Sequence, residues 1–143
     1  MLGYWNGSDK IQEPWQGDWF LSGDLARQDA EGNFFFEGRR DDVITAGGYR
    51  ISPLEVESIL NQHPEVEESA VIGRNLGEGK TIVEAYLVLV KSEKPLKDIE
   101  NTFSEFLEGK LAKYKIPRGY HCLAQLPKTV TGKIKRRALV QEE

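Results

Sequence analysis

A single cysteine, Cys122, excludes an internal disulfide, and two histidines leave no Cys/His cluster of the kind that holds zinc. No apolar run approaches the roughly 20 residues of a membrane span. The opening stretch MLGYWNGSDK has neither the basic nor the apolar block of a secretory leader. Positive charge is not in excess either: 19 lysines and arginines face 23 acidic residues, a net charge of −4. A chain built to track nucleic acid carries the opposite balance. These absences predict a cytoplasmic globular protein with no membrane span and no nucleic-acid partner. At 143 residues, the chain is long enough for one modest core or a small domain plus an appendage.

What is present falls into two blocks. Residues 1–40 are rich in glycine, aspartate and aromatics: Tyr4, Trp5, Trp15, Trp19, Phe20, Phe34, Phe35 and Phe36. The runs DWFLSGDLARQD and NFFFEGR read as strands around an AEGN turn, a β-hairpin. Three consecutive large aromatics on a short hairpin need a second surface. Either the hairpin packs on the rest of this chain, or residues 1–40 are the torn edge of a larger domain.

Residues 41–143 alternate strand and helix signals. DDVITAGGYRIS reads as two short strands around Gly47-Gly48, a turn that tolerates positive φ. SPLEVESILNQHP reads as a helix, with Ser52 as N-cap, Pro53 in the first turn, Glu55 closing a capping box and Pro64 as the stop. VEESAVIGR and TIVEAYLVLV read as strands, the second so apolar that it is expected at the centre of its sheet. LKDIENTFSEFLEGKLAKYK reads as a long amphipathic helix with Leu96, Ile99, Phe103, Phe106, Leu107 and Leu111 on one stripe, and GYHCLA as a last strand. The order predicts an α+β fold: a hairpin, then a three-stranded sheet covered by helices, preceded by a β-rich remnant.

GRNLGEGKT, from Gly73 to Thr81, mimics a phosphate-binding P-loop but fails on two counts. Five residues, Arg74 to Glu78, stand where the pattern has four, and the segment enters a strand instead of opening a helix. It is read as a hairpin loop.

Three short stretches carry residue types suited to nucleotide chemistry. SGDL presents Asp24 at a turn, and EGRRDD presents Arg39 and Arg40 ahead of Asp41 and Asp42. A carboxylate can accept both hydroxyls of a ribose, and a guanidinium can donate to phosphate or sugar oxygens. Taken singly, a turn-capping aspartate and a surface ion pair explain them as well. PKTVTGKIKRR ends the set with Lys128, Lys133, Lys135, Arg136 and Arg137, which composition alone reads as a solvated basic end.

Together, GDL, GRRDDVITAGGYRISPLEVE and PKTVTGKIKRR, in that order and spacing, closely resemble the adenylate-forming superfamily, and most of all its AMP-forming acyl-CoA synthetases. The likeness covers nearly the whole chain. Even GYWN, Gly3 to Asn6, is similar to a motif near the end of the family's large N-terminal domain. The resemblance implies a ligase of fatty-acid metabolism that couples a carboxylic acid to AMP from ATP, with magnesium, and then passes the acyl group to the thiol of CoA. Residues 1–40 would be the end of the N-terminal adenylation domain, and 41–143 the mobile C-terminal domain that rotates between the two steps.

By the same resemblance, Asp24 binds the ribose hydroxyls and Arg39 contacts the nucleotide. Asp41 is the hinge. Gly47 and Gly48 let the pantetheine arm of CoA pass, and Arg50 meets phosphate. Lys133 is the catalytic lysine of adenylation, with Lys128 in a lesser place. A lysine suits the step because its compact ammonium can touch the attacking carboxylate and the α-phosphate together. One such contact at about 4 Å is worth roughly 4 kcal/mol at an effective dielectric of 20, before desolvation. An acetyltransferase and deacetylase acting on Lys133 would switch the enzyme by removing that charge.

The family's Ser/Thr/Gly-rich phosphate loop and acyl pocket do not occur in these residues. The chain therefore reads as a piece that works with an N-terminal adenylation domain, is inactive alone, and does not name its acid. Two other readings stand beside this one. The acceptor can be a carrier-protein pantetheine or the enzyme luciferase-like, or the basic end can make a non-catalytic binding module.

Overall fold

Local chemistry explains the hairpins of the first unit in the computed structural model, which describes residues 15–90 and 96–140. The GYWN stretch, with Tyr4 and Trp5, and the Leu96 side chain lie outside the described residues. Strands β1 (Trp15–Gln16) and β2 (Trp19–Phe20) form a minimal hairpin closed by an edge-on contact of Trp15 and Phe20 at 5.4 Å. Strands β3 (Asp24–Gln28) and β4 (Phe34–Arg39) form a second, in antiparallel register from Asp24 opposite Arg39 to Gln28 opposite Phe34.

Asp29 builds the turn of this second hairpin. Its Oδ1 accepts the N–H groups of Glu31 and Asn33 at 3.1 and 2.8 Å, and Asn33 Nδ2 donates to Oδ2 at 3.0 Å. The Asn33 side-chain bond, with the backbone donors, holds the Asp29 carboxyl below its ordinary value. The single run expected over DWFLSGDLARQD is thus two strands separated at Leu21–Gly23, and the described residues 15–40 hold two hairpins in place of one. Phe34 and Phe36 stay mostly exposed, at 73% and 62%.

The chain divides between Asp41 and Asp42 into two compact units, at a single 3-10 turn, Arg40–Asp42. The second unit opens with β5 (Ile44–Ala46) and β6 (Tyr49–Ile51), an antiparallel pair with Ala46 opposite Tyr49. Gly47 and Gly48 between them have φ of +55° and +82°, the left-handed conformation that a tight two-residue hairpin demands at both places. Helix α1 (Pro53–Leu60) follows, with Pro53 pre-set for its first turn. The Ser52 side chain makes no capping hydrogen bond, so the expected capping box is not closed from the serine. Glu55 instead binds Lys115 Nζ through both oxygens, at 2.6 and 2.7 Å.

Strands β7 (Val66–Asn75) and β8 (Thr81–Leu89) are antiparallel, and β9 (Gly119–Cys122) lies parallel to β8, giving the order β7-β8-β9 with the most apolar strand in the middle. The P-loop mimic is the turn of the β7–β8 hairpin, closed by Leu76 N–H to Lys80 O at 2.8 Å. Helix α2 (Leu96–Leu107) is shorter than its amphipathic pattern suggests. Gly109, at φ +77°, ends it, and Lys113–Lys115 forms a separate 3-10 turn.

Alternation along β8 divides the core. Val83, Ala85 and Leu87 join Ile44, Ile51, Val56, Leu60, Ile99 and Phe103 on the face covered by α1, α2 and the β5–β6 hairpin. Tyr86 and Val88 turn the other way, to Ala70, Ile72, Leu126 and Leu139. The C-terminal segment, ending in the short helix α3 (Arg136–Leu139), therefore covers the second face of the sheet, and Tyr86 Oη donates to Leu139 O at 3.2 Å to fasten it. The fold is α+β, a three-stranded sheet with helices and flanking hairpins, as the element order predicts.

Candidate functional site

In the first unit, strand pairing sets Asp24 directly across from Arg39. Arg39 Nη1 donates to Asp24 Oδ1 at 2.8 Å and to the Ser22 carbonyl at 2.9 Å. Both side chains remain about half exposed, at 43% and 49%. An oriented carboxylate and guanidinium, side by side and open to solvent, can address hydroxyls and phosphate oxygens together. Asp41 follows in the 3-10 turn, with its side chain 65% exposed and its Oδ1 4.0 Å from Arg40 Nε.

In the second unit, Gly47 and Gly48 form an exposed tip. A Cβ built on either one meets nothing within 4 Å, so the space in front of the loop is open. Arg50, on β6 opposite Thr45, is exposed. Beside the tip lies a cavity of about 330 Å³ whose lining includes Gly47, Tyr49, Lys80, Tyr114 and Arg118. Tyr49 and Tyr114 are stacked at 4.0 Å. Lys80, Tyr114 and Arg118 carry no signal in the sequence, because a tight turn, a helix-like run and a strand start bring them together only in three dimensions.

Lys133 sits at the end of a tight hairpin. Lys128 and Ile134 are bridged antiparallel, Thr129 N–H donates to Lys133 O at 2.7 Å, and Lys133 N–H donates to Thr129 Oγ1 at 3.1 Å. Lys135 N–H donates to Pro127 O at 2.8 Å. The two lysines of the motif then differ. Lys128 Nζ is bound to Glu68 on β7 at 2.5 Å. Lys133 is exposed, and among the described residues no carboxylate pairs with it.

Arg136 is not part of a solvated basic end. It is only 19% exposed, and its Nη2 donates to both oxygens of Glu57 on α1, at 2.9 and 2.8 Å. Its Nη1 reaches Asp42 Oδ2 at 3.3 Å. Glu57 is itself buried and also accepts the Val71 N–H of β7, at 2.7 Å. The sequence signal for this cluster is Glu57, a carboxylate between Val56 and Leu60 on the inward side of α1. That signal is weak, because a glutamate in a helix is usually a solvated one.

A protein-family model described as the AMP-binding enzyme C-terminal domain matches residues 55–133. An uncharacterized acyl-CoA ligase of Bacillus subtilis is 40% identical over 140 residues, covering 98% of this chain and 26% of the ligase. A 4-hydroxybutyrate–CoA ligase of Metallosphaera sedula is 41% identical over 142 residues, covering 99% of this chain and 25% of that enzyme. Among solved structures, the o-succinylbenzoate CoA synthetase of Bacillus subtilis with its acyl-adenylate intermediate superposes with a TM-score of 0.87, at 34% identity, over 100% of this chain and 28% of the synthetase. The chain spans about a quarter of the length of the curated relatives it matches.

Proposed function

This chain belongs to the family of AMP-binding enzyme C-terminal domains, and on that premise we propose that it serves an AMP-forming acid–CoA ligase as the mobile domain carrying the adenylating lysine. The observation that carries the reading is the contrast within one hairpin. Lys128 is neutralised by Glu68, while Lys133 stands exposed with no carboxylate paired to it among the described residues. An unpaired ammonium on a fixed loop is what two approaching anions require.

In the first half-reaction, a carboxylate oxygen of the acid attacks the α-phosphorus of ATP and pyrophosphate leaves. Lys133 offsets the charge of both reactants as they meet. Asp24 accepts the ribose hydroxyls, and Arg39, with Nη1 committed to Asp24, offers its other nitrogens to the nucleotide. In the second half-reaction, the CoA sulfur attacks the acyl carbon and AMP leaves. A turn about Asp41 withdraws Lys133 and brings up Gly47 and Gly48, whose bare backbone admits the pantetheine arm, with Arg50 nearby for phosphate. The neighbouring cavity, with two tyrosines, Lys80 and Arg118, has the aromatic surface and positive charge suited to the nucleotide end of CoA. The acid pocket and the magnesium-bound phosphates of ATP belong to an N-terminal adenylation domain.

A nucleic-acid module is disfavoured by the same geometry. Of the five cationic side chains in PKTVTGKIKRR, Lys128 and Arg136 are already bound to carboxylates, and the chain's net charge is −4. The test is exchange of labelled pyrophosphate into ATP by the complete enzyme across a panel of carboxylic acids. Acid-dependent exchange, followed by a CoA thioester, is expected. No exchange with any acid, alongside salt-sensitive nucleic-acid binding, would overturn the reading.

A further inference from the structure

We propose that Arg136 is a positioning residue for adenylation, locking the Lys133 hairpin and the start of the domain to the buried Glu57. The proposal rests on the reading of Lys133 above.

Three observations support it. Arg136 follows Lys133 by three residues, directly after the backbone bond from Lys135 to Pro127 that closes the hairpin. Its guanidinium then enters the interior and meets a carboxylate held from two sides, by Arg136 itself and by the Val71 amide. Its second arm reaches Asp42, the first residue of the second unit. One side chain thus ties together the lysine hairpin, helix α1, strand β7 and the residue beside the proposed hinge.

The cluster is poorly arranged for stability alone. Arg136 Nε is buried without a hydrogen-bond partner among the described residues, and a buried ion pair is in general no better a stabiliser than apolar side chains of the same size. What such a pair can supply, and on this proposal does supply here, is a fixed geometry. Fixed geometry is what Lys133 needs. Its side chain is long and exposed, so the position of its ammonium depends on where the hairpin is held. On the other strand of the hairpin, Lys128 on Glu68 provides the matching peg. With both strands held, Lys133 enters and leaves the active site by movement of the whole domain and not by bending of its loop.

The test uses the complete enzyme. Arg136→Met alone leaves Glu57 buried without its partner and can unfold the domain, so it is paired with Arg136→Met/Glu57→Gln, in which the glutamine carbonyl keeps the Val71 amide bonded and no buried charge is stranded, the Asp42 carboxylate being 34% exposed to solvent. In the folded double variant, kcat for pyrophosphate exchange should fall by about tenfold to a hundredfold, as for a displaced catalytic group. KM for ATP and for the acid should change little, and thioester formation from supplied acyl-AMP should be largely retained. Hydrogen exchange at the Thr129, Gly132 and Lys133 amides should quicken. Full exchange kcat in the folded double variant overturns the proposal, as does a proportional loss of both half-reactions. Lys133→Ala, assayed alongside, separates the two failures. If that variant keeps adenylation, the lysine assignment is wrong and the positioning role falls with it. If it loses adenylation while the double variant keeps it, only the Arg136 proposal fails.

Discussion

Arg39 and Asp24 face each other across the β3–β4 hairpin, with Nη1 of the arginine 2.8 Å from Oδ1 of the aspartate. An ion pair this exposed contributes no more than about 1 kcal/mol to stability. Its loss should therefore leave the fold intact and show itself in nucleotide binding. In the complete enzyme, Asp24→Ala is expected to raise KM for ATP at least about tenfold, the equivalent of 1.4 kcal/mol. Arg39→Lys should not give normal binding, because an ammonium that holds Asp24 and Ser22 keeps one free donor where the planar guanidinium keeps three. Initial rates against ATP concentration, with a melting curve beside them, decide the matter. An unchanged KM would remove both residues from the nucleotide site.

Lys133→Ala in the complete enzyme should reduce pyrophosphate exchange by at least about a hundredfold, in the range lost when one transition-state donor is removed. Thioester formation from supplied acyl-AMP should stay within a few-fold of normal. Enzymatic acetylation of Lys133 should have the same one-sided effect, since it removes the charge and leaves the hairpin hydrogen bonds untouched. Equal loss of both half-reactions would show that the lysine holds structure instead.

Gly48 has φ of +82° and open space where a side chain would go. Gly48→Ala should cost about 1–2 kcal/mol of stability from the left-handed backbone alone. It should change neither half-reaction by more than a few-fold. Gly48→Leu adds bulk in front of the loop, and CoA transfer should collapse while pyrophosphate exchange persists. If alanine and leucine behave alike in both assays, Gly48 is a turn glycine and nothing more.

How much of this was legible in the sequence differs from element to element. The three-stranded sheet with β8 at its centre was legible because a strand covered on both faces is apolar at nearly every position. The Gly47-Gly48 turn was legible because positive φ at two successive positions leaves few other residue types. The end of α2 was not legible, because its apolar spacing runs on through Leu111, while a single residue, Gly109, decides where the helix stops. The motif residues could be placed one by one from resemblance. Their joint mounting could not, because Glu57 and Arg136 are 79 residues apart and meet only when α1 and the C-terminal segment pack near β7. Charge in a sequence does not announce whether it is solvated, and here the basic end divides into bound and unbound members.

Cys122 offers a test independent of activity. Cys122 is exposed, yet the protein atoms packed beside it desolvate its thiol and raise its pKa, so less thiolate is present at neutral pH than for a free cysteine. Because the thiolate is the nucleophile, alkylation of the folded protein should be slower than that of a free cysteine thiol. The midpoint of its rate-against-pH curve should also lie higher. Unfolding should return the midpoint to the ordinary range. Peptide-level mass spectrometry of iodoacetamide-treated enzyme follows this one residue. A midpoint that does not shift on unfolding would show that the raised value is absent and that access alone sets the rate.

Asp41 and Asp42 are neighbours with opposite mechanical circumstances. Asp42 is held by Arg136 at 3.3 Å, whereas the Asp41 side chain is 65% exposed and its ion pair among the described residues is a long one, 4.0 Å to Arg40 Nε. A rotation that spares the packing of the second unit must therefore be absorbed on the N-terminal side of Asp42, and hinges absorb it at one or two such residues. Proline at position 41 fixes φ near −65° and disfavours a helical conformation at Arg40 before it. Asp41→Pro in the complete enzyme should therefore select one orientation of the domain. If it selects the orientation that presents Lys133, pyrophosphate exchange persists and CoA transfer falls by at least about a hundredfold, the scale on which a misplaced catalytic group loses rate. If it selects the other, the losses are reversed. Either lopsided result identifies the hinge, because a turn-capping aspartate has no means of separating the two half-reactions. Its loss would lower the melting temperature and reduce both activities by similar factors. Measuring both half-reactions and the melting curve on the same purified variant separates the cases, and a proportional loss removes Asp41 from the hinge.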